Sequence, residues 1–250
     1  AATPPVIRLE HIRKSFGTVM ANRDITLDFR AGRVKALLGE NGAGKSTLMS
    51  VLAGRLQPDS GRIFVDGVET SIRSTLDAHR SGIGMVYQHF TLVDAMSVAE
   101  NVLLGATQRF WLSPAKMTAQ VADLASRYGL DIDPKARVSE LSMGERQRVE
   151  ILKLLNRESR VLIFDEPTAV LTPAEIEQLF TALRRMASRG KAIVFISHKL
   201  DEVMALADEI AILRKGEVVD EMPADRVASK AELALKMVGR EVVLRVEKEL

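Results

Sequence analysis

The sequence predicts an α/β fold: an α/β core that brackets a mostly helical insert, with antiparallel strands near the N-terminus. Three observations predict it. The first thirty residues alternate apolar and polar side chains, as half-buried strands do. Two later runs, RVLIFDEP and KAIVFISH, are apolar in the continuous manner of fully buried strands. Between these regions, over about residues 91–156, apolar residues recur at helical spacing.

Taken in order, VIRLEHI and ITLDF alternate and read as the antiparallel strands. RVKALLG is more continuously apolar and runs into glycines. GRIFVDG is a short strand between glycines, and GIGMVYQ is another that ends at Gln88. SVAENVLLG opens with a capping box, Ser97 and Glu100. AKMTAQVADLASRYGL is a periodic helix closed by Gly129, and ERQRVEILKLLNRE is helical again. TPAEIEQLFTALRRMASRG has Thr172 as cap, Pro173 in the first turn, Glu175 completing the box and Gly190 as stop. Its core face is Ile176, Leu179, Phe180 and Leu183. DEIAILRKGEVVDE reads as a hairpin. The chain is expected to form one domain over residues 1–250, with a helical subdomain at about 91–156 inserted in the core. No low-complexity segment or repeat of 20–50 residues interrupts it.

Composition narrows the class. The 250 residues are 46% hydrophobic, enough for a substantial core. Thirty-five basic residues against 33 acidic give a net charge of +2, which demands neither nucleic acid nor anionic lipid. There is no cysteine, which excludes disulfides and Cys-ligated zinc or iron–sulfur sites and fits a reducing compartment. No apolar run approaches the roughly 20 residues that span a bilayer. The N-terminus lacks a signal pattern and an initiator Met, so a processed or cut end is expected there. The C-terminus stops without a breaker, and a cut is expected there too.

GENGAGKST, residues 39–47, matches G-x-x-x-x-G-K-[ST] between an apolar strand and a helical LMSVLAG. Its backbone N–H groups, from Gly39, Glu40, Asn41, Gly42, Ala43, Gly44 and Thr47 besides the two named next, can face phosphates. The helix start adds positive potential. Lys45 reaches the β and γ phosphates and Ser46 ligates Mg²⁺. Asp165, at the end of a buried strand, can hold Mg²⁺ through water, and Glu166 can orient and polarise an attacking water. The same carboxylate pair could instead be a loop start. His198 is either a γ-phosphate contact or a structural histidine at a strand end. LSMGE begins a helix capped by Ser142 and closed by Glu145, which offers N–H groups and dipole to an anion.

In this order the motifs resemble an ATP-binding-cassette (ABC) ATPase domain over essentially the whole chain. The resemblance implies a P-loop NTPase (RecA-like) core with an N-terminal antiparallel β subdomain and a helical subdomain. It makes Phe16 the aromatic that stacks on adenine, the alternative being an ordinary buried Phe. It makes residues 39–47 the Walker A loop, and Gln88 the Q-loop glutamine that bridges Mg²⁺ and the transporter contact. Ser142, Met143, Gly144 and Glu145 then belong to the signature, Asp165 and Glu166 to Walker B, and His198 to the H-loop.

The finer resemblance is to ATPase subunits of simple sugar and nucleoside importers, carried by GMVYQHFTLVDAMSVAENVLLG, DEPTAVLTPAE, ISHKLDEVMALADEIAILRKGEVV and MVGRE. Those subunits usually carry two cassettes, the first ending near MVGRE, so this chain is expected to be an N-terminal half. The resemblance implies ATP and Mg²⁺, a second cassette whose signature completes the site, and transmembrane permease subunits. A periplasmic or surface substrate-binding protein takes part indirectly, and nucleic acid does not. It places the chain in the cytoplasm, peripheral on the inner face of the membrane.

Two departures stand out. Met143 replaces the first glycine of the usual signature pair, and Glu145 stands where Gln is common. Thr172 stands where many members have Asp, in a loop that crosses the dimer interface in the family. Unequal composite sites are the expectation that follows. The rival from another class is a soluble ABC ATPase of DNA repair or translation. The short interval from Thr47 to Leu141, without heptads, disfavours repair, and the lack of a basic linker disfavours translation. A nucleotide kinase would not need LSMGE or ISH. A non-hydrolytic module would not need Glu166 and His198.

Overall fold

The computed structural model describes residues 4–87, 91–105 and 113–239. Two long strands, β1 (Pro5–Phe16) and β2 (Val19–Arg30), pair antiparallel with Leu9 opposite Leu27 and Ile7 opposite Phe29. Their inward residues, Ile7, Leu9, Ile12, Ile25, Leu27 and Phe29, are buried. The alternation slips by one between Leu9 and Ile12, where His11 takes a φ of +54° and the register shifts. That is a bulge, and it keeps Ile12 on the core face.

Then follow β3 (Val34–Leu38), α1 (Lys45–Leu52), β4 (Ser60–Val65), β5 (Val68–Glu69), α2 (Thr75–Arg80) and β6 (Ile83–Val86). The helical stretch holds α3 (Val98–Leu103), α4 (Pro114–Tyr128) and α5 (Met143–Asn156). The chain continues through β7 (Val161–Asp165), α6 (Pro173–Ser188), β8 (Ala192–Ile196) and α7 (Leu200–Leu206). It closes with β9 (Glu209–Arg214), β10 (Glu217–Pro223) and α8 (Lys230–Val238). The capping boxes expected at Ser97 and Thr172 form, and Gly129 ends α4 at φ +71°.

β2-β1-β4-β5 make an antiparallel sheet, and β10-β9-β3-β8-β7-β6 make a second sheet. In the second, β9, β3, β8, β7 and β6 run parallel and β10 closes one edge antiparallel, as the hairpin reading requires. One apolar core fills the space between the two sheets around α1, and another lies under α3, α4, α5 and α6. The buried Lys35 on β3 reaches Glu209 on β9 at 3.0 Å and also Glu221 on β10, and bonds the Asp28 carbonyl on β2. This charge is paired, as burial demands, and it pins the two sheets together.

Two expectations are corrected. β6 ends at Val86 and not at Gln88, which lies outside the described residues. The buried face of α6 is Leu179, Ala182, Leu183, Met186 and Ala187. Phe180 is half-buried but packs on this core as expected, its ring edge-on to the buried Phe195 at 5.7 Å, while Ile176, also half-buried, is not among the residues of that core.

Candidate nucleotide site

Strand order places the candidate residues. β3, β8 and β7 are neighbours, and their carboxyl ends deliver the phosphate loop, His198 and the Asp165–Glu166 pair to one edge. Crevices at the carboxyl ends of parallel strands are where ligands bind in such sheets.

The loop of residues 39–47 is moulded by its surroundings. Gly44 has φ +101°, and a Cβ there would stand 2.2 Å from the Ala21 carbonyl oxygen. A Cβ on Gly39 would stand 2.3 Å from the Leu213 carbonyl oxygen. Both positions therefore require glycine. The fully buried Asn22 donates from Nδ2 to the Gly44 carbonyl at 3.1 Å, and Gly216 N donates to the Ala43 carbonyl at 3.1 Å. α1 begins at Lys45 with no side-chain cap and no acidic residue in its first turn. Its opening N–H groups are free for an anion. Lys45 Nζ lies over the loop, donating to the Gly39 carbonyl at 2.7 Å and the Glu40 carbonyl at 3.0 Å. Burial pushes its pKa down, against the pull of Glu166 and Asp165.

Facing Lys45 are the carboxylates. Ser46 Oγ donates to Asp165 Oδ1 at 3.4 Å. Burial pushes the Asp165 carboxyl up, Ser46 opposes this and the neighbouring Glu166 adds to it. A partly buried anion beside a second anion and a hydroxyl, all oxygen donors, suits a hard divalent cation. Ser46 and Asp165 therefore fit the expected Mg²⁺. Gln88, the third expected ligand, lies outside the described residues. Glu166 adopts φ +45°, unusual for a non-glycine, and its N–H is held by the Ile196 carbonyl at 3.1 Å. His198 Nδ1 stands 2.9 Å from Glu166 Oε1. The structure thus joins Glu166 and His198, the link expected between them.

Phe16 ends β1 with 49% of its surface exposed, so the alternative of an ordinary buried Phe does not hold. It walls a cavity of about 570 Å³ together with the phosphate loop and Glu166. His198 lines the adjoining depression with Glu40 and Asn41.

The segment at Ser142 lies elsewhere. Ser142 caps α5, with Glu145 N donating to its Oγ at 3.3 Å and Ser142 N donating to Glu145 Oε2 at 2.8 Å. Met143 is 46% exposed. A Cβ on Gly144 would meet Glu175 Oε1 at 2.4 Å, so that carboxylate packs directly on the glycine. Glu175 Oε2 accepts from Thr172 N and Oγ1, both at 2.9 Å. These bonds, first the backbone one, and then the Ser142 hydroxyl among the lesser causes, hold the Glu175 carboxyl below its usual range. The buried Gln147 donates to the Pro167 carbonyl at 3.1 Å. The groove around Gly144, Gln147 and Glu175 shares no lining residue with the phosphate-loop cavity.

Sequence reasoning missed Asn22, Gln147 and the contact of Glu175 with Gly144. Asn22 carried a signal, a polar residue at an inward strand position. The other two depend on α5 and α6 meeting, which no local pattern encodes.

Comparison with known proteins agrees with this geometry. The profile of the ABC transporter family matches residues 22–169, more than half of the chain. The nucleoside import ATP-binding protein NupA of Lactococcus lactis subsp. cremoris (strain MG1363) is 45% identical over 249 residues, covering 99% of this chain and 49% of its own length. The ribose import ATP-binding protein RbsA 1 of Streptomyces avermitilis is 44% identical over 246 residues, 98% of this chain and 47% of its own. The chain thus spans about half the length of the curated relatives it matches. Among solved structures, CbiO1 from Clostridium perfringens, part of the ABC transporter complex CbiONQ, superposes with a TM-score of 0.79 at 30% identity. That match covers 97% of this chain and 96% of that one. With the phosphate loop, the carboxylate pair and the capped LSMGE helix in their places on this fold, the chain belongs to the ABC transporter family.

Proposed function

We propose that this chain binds and hydrolyses ATP and that hydrolysis powers import of a simple sugar or nucleoside through a membrane transporter. The observation that carries the reading is the 2.9 Å contact between His198 and Glu166, at the edge where Lys45 and Asp165 also converge. The import class rests on the names of the relatives, one a nucleoside and one a ribose importer.

Phosphoryl transfer to water needs positioning and charge more than covalent help. Lys45 and the N–H groups of the loop hold the triphosphate. Phe16 offers a ring face to the base. Glu166 accepts a proton from the attacking water, and His198 orients that carboxylate while touching the γ-phosphate side. Ser46 and Asp165, with Gln88, would hold Mg²⁺, which when bound neutralises phosphate charge.

The far side of the γ-phosphate is covered by the signature of a second cassette, while this chain's Ser142–Glu145 segment serves the partner's nucleotide. Because that segment carries Met143 and Glu145, the two sites are unequal. The one built on this chain's Lys45, Glu166 and His198 is the competent one. Among the described residues no helix is long and apolar enough to cross a membrane. In this reading the chain sits on the inner, cytoplasmic face against permease subunits, and a capture protein outside delivers the substrate.

Uptake of labelled ribose and of labelled guanosine by vesicles holding the whole transporter tests this reading. ATP-dependent uptake of one of them, with permease subunits co-purifying, is expected. An ATPase that never associates with membrane subunits would contradict it.

A further inference from the structure

Two cations stand at the rim of the phosphate-loop cavity with no role in the reading above. Arg23 and Lys215 both line it. Neither has a carboxylate partner within 4 Å among the described residues. Arg23 lies on β2, next to the Asn22 that holds Gly44. Lys215 lies in the turn between β9 and β10. Backbone bonds tie them to one another and to the loop: Arg23 N donates to the Gly216 carbonyl at 2.7 Å, and Gly216 N donates to the Ala43 carbonyl at 3.1 Å. The stem of Arg23 crosses Gly216, where a Cβ would stand 3.2 Å from its Cγ and 2.8 Å from the Ala21 carbonyl oxygen.

Lys215 is also the wrong residue for its turn. Arg214 pairs with Glu217, so Lys215 and Gly216 form a two-residue loop. Their φ angles, +51° and +83°, are both left-handed. Such a turn favours Asn, Asp or Gly at its first position. A lysine held there works against local preference. A residue kept against local preference beside a ligand cavity points to a role for its side chain.

The charge balance of the cavity supplies that role. Glu166 lines it and Asp165 lies just behind, while Lys45 is already engaged by two loop carbonyls. A polyphosphate entering between Phe16 and the loop meets carboxylates at its inner end and needs further positive charge at its outer end.

We propose that Arg23 and Lys215 form a second cationic arm of the site, contacting the phosphate tail of a bound nucleoside di- or triphosphate from the rim. This rests on the reading that the cavity takes a nucleotide.

The test is calorimetric titration of the chain with ATP, ADP and AMP at low and high salt, with melting temperatures, for wild type, Lys215→Asn, Arg23→Gln and Lys45→Ala. Lys215→Asn suits the turn better, so its melting temperature is expected to hold or rise. Its ATP affinity is nevertheless expected to fall roughly three- to tenfold, with a smaller loss for AMP, and the loss is expected to shrink at high salt. Arg23→Gln is expected to act the same way. Unchanged ATP affinity in both variants, or equal losses for ATP and AMP, would overturn the proposal. So would a lowered melting temperature with affinity lost for all three nucleotides, which marks turn damage. If Lys45→Ala abolishes binding while both rim variants bind normally, only the rim arm fails. If wild type binds no ATP, the nucleotide reading fails and the arm with it.

Discussion

Replacing Glu166 by Gln is expected to lower ATP turnover of the assembled transporter by about 10²–10⁴-fold, the usual contribution of a positioned general base. Binding of MgATP should change little, because Gln keeps the size of the side chain and its reach to His198. The loss should appear in kcat and not in KM. Two features make the effect large. Glu166 is held at φ +45° by the Ile196 carbonyl, so its direction is set by the sheet and not by chance. And if the site served by this chain's own signature is the weaker one, no second site can carry the turnover. Steady-state kinetics on the assembled protein check this. Near-normal ATPase after Glu166→Gln would end the idea that the competent site is built on this chain.

Gly44→Ala is expected to be the most damaging change to the loop itself. Alanine at φ +101° is strained by about 1–3 kcal/mol. Its Cβ would press on the backbone carbonyl of Ala21, a neighbour that cannot rotate away, and overpacking of this kind costs about 1–3 kcal/mol more. The sum is a loss of about 2–6 kcal/mol, or a melting temperature lower by roughly 4–24 °C. Because Asn22 grips the Gly44 carbonyl, relief of the clash must move the loop away from β2. ATP affinity should therefore fall with stability. Thermal melts with and without ATP check both parts. An undiminished ATP-induced rise in melting temperature would contradict this account of the loop.

Much of the site was legible because its residues sit in contiguous runs. GENGAGKST, DEP and ISH each fall directly after an apolar strand, and a parallel sheet sends all such ends to one edge. The capping boxes at Ser97, Ser142 and Thr172 were legible because they are local, three residues from cap to partner. Contacts between elements were not. The packing of Glu175 on Gly144 and the Gln147–Pro167 bond arise where α5 meets the segment after β7. Glu175 completes the capping box of α6 with Thr172, as the spacing predicts. Its second oxygen packs on Gly144, so Thr172 anchors a carboxylate that joins the loop after Glu166 to the start of α5. The pattern of GIGMVYQ overstates the strand, because the apolar run continues through Tyr87 while β6 ends at Val86.

The central claim is that the chain holds a complete nucleotide half-site but lacks the facing signature that makes it turn over. ATPase measured on the isolated chain over a wide range of protein concentration, with and without the partner cassette, tests this most directly. The account predicts MgATP binding with slow turnover by the chain alone, and a marked rise when the partner is added. Fast turnover by the monomer, independent of concentration and of the partner, would contradict it.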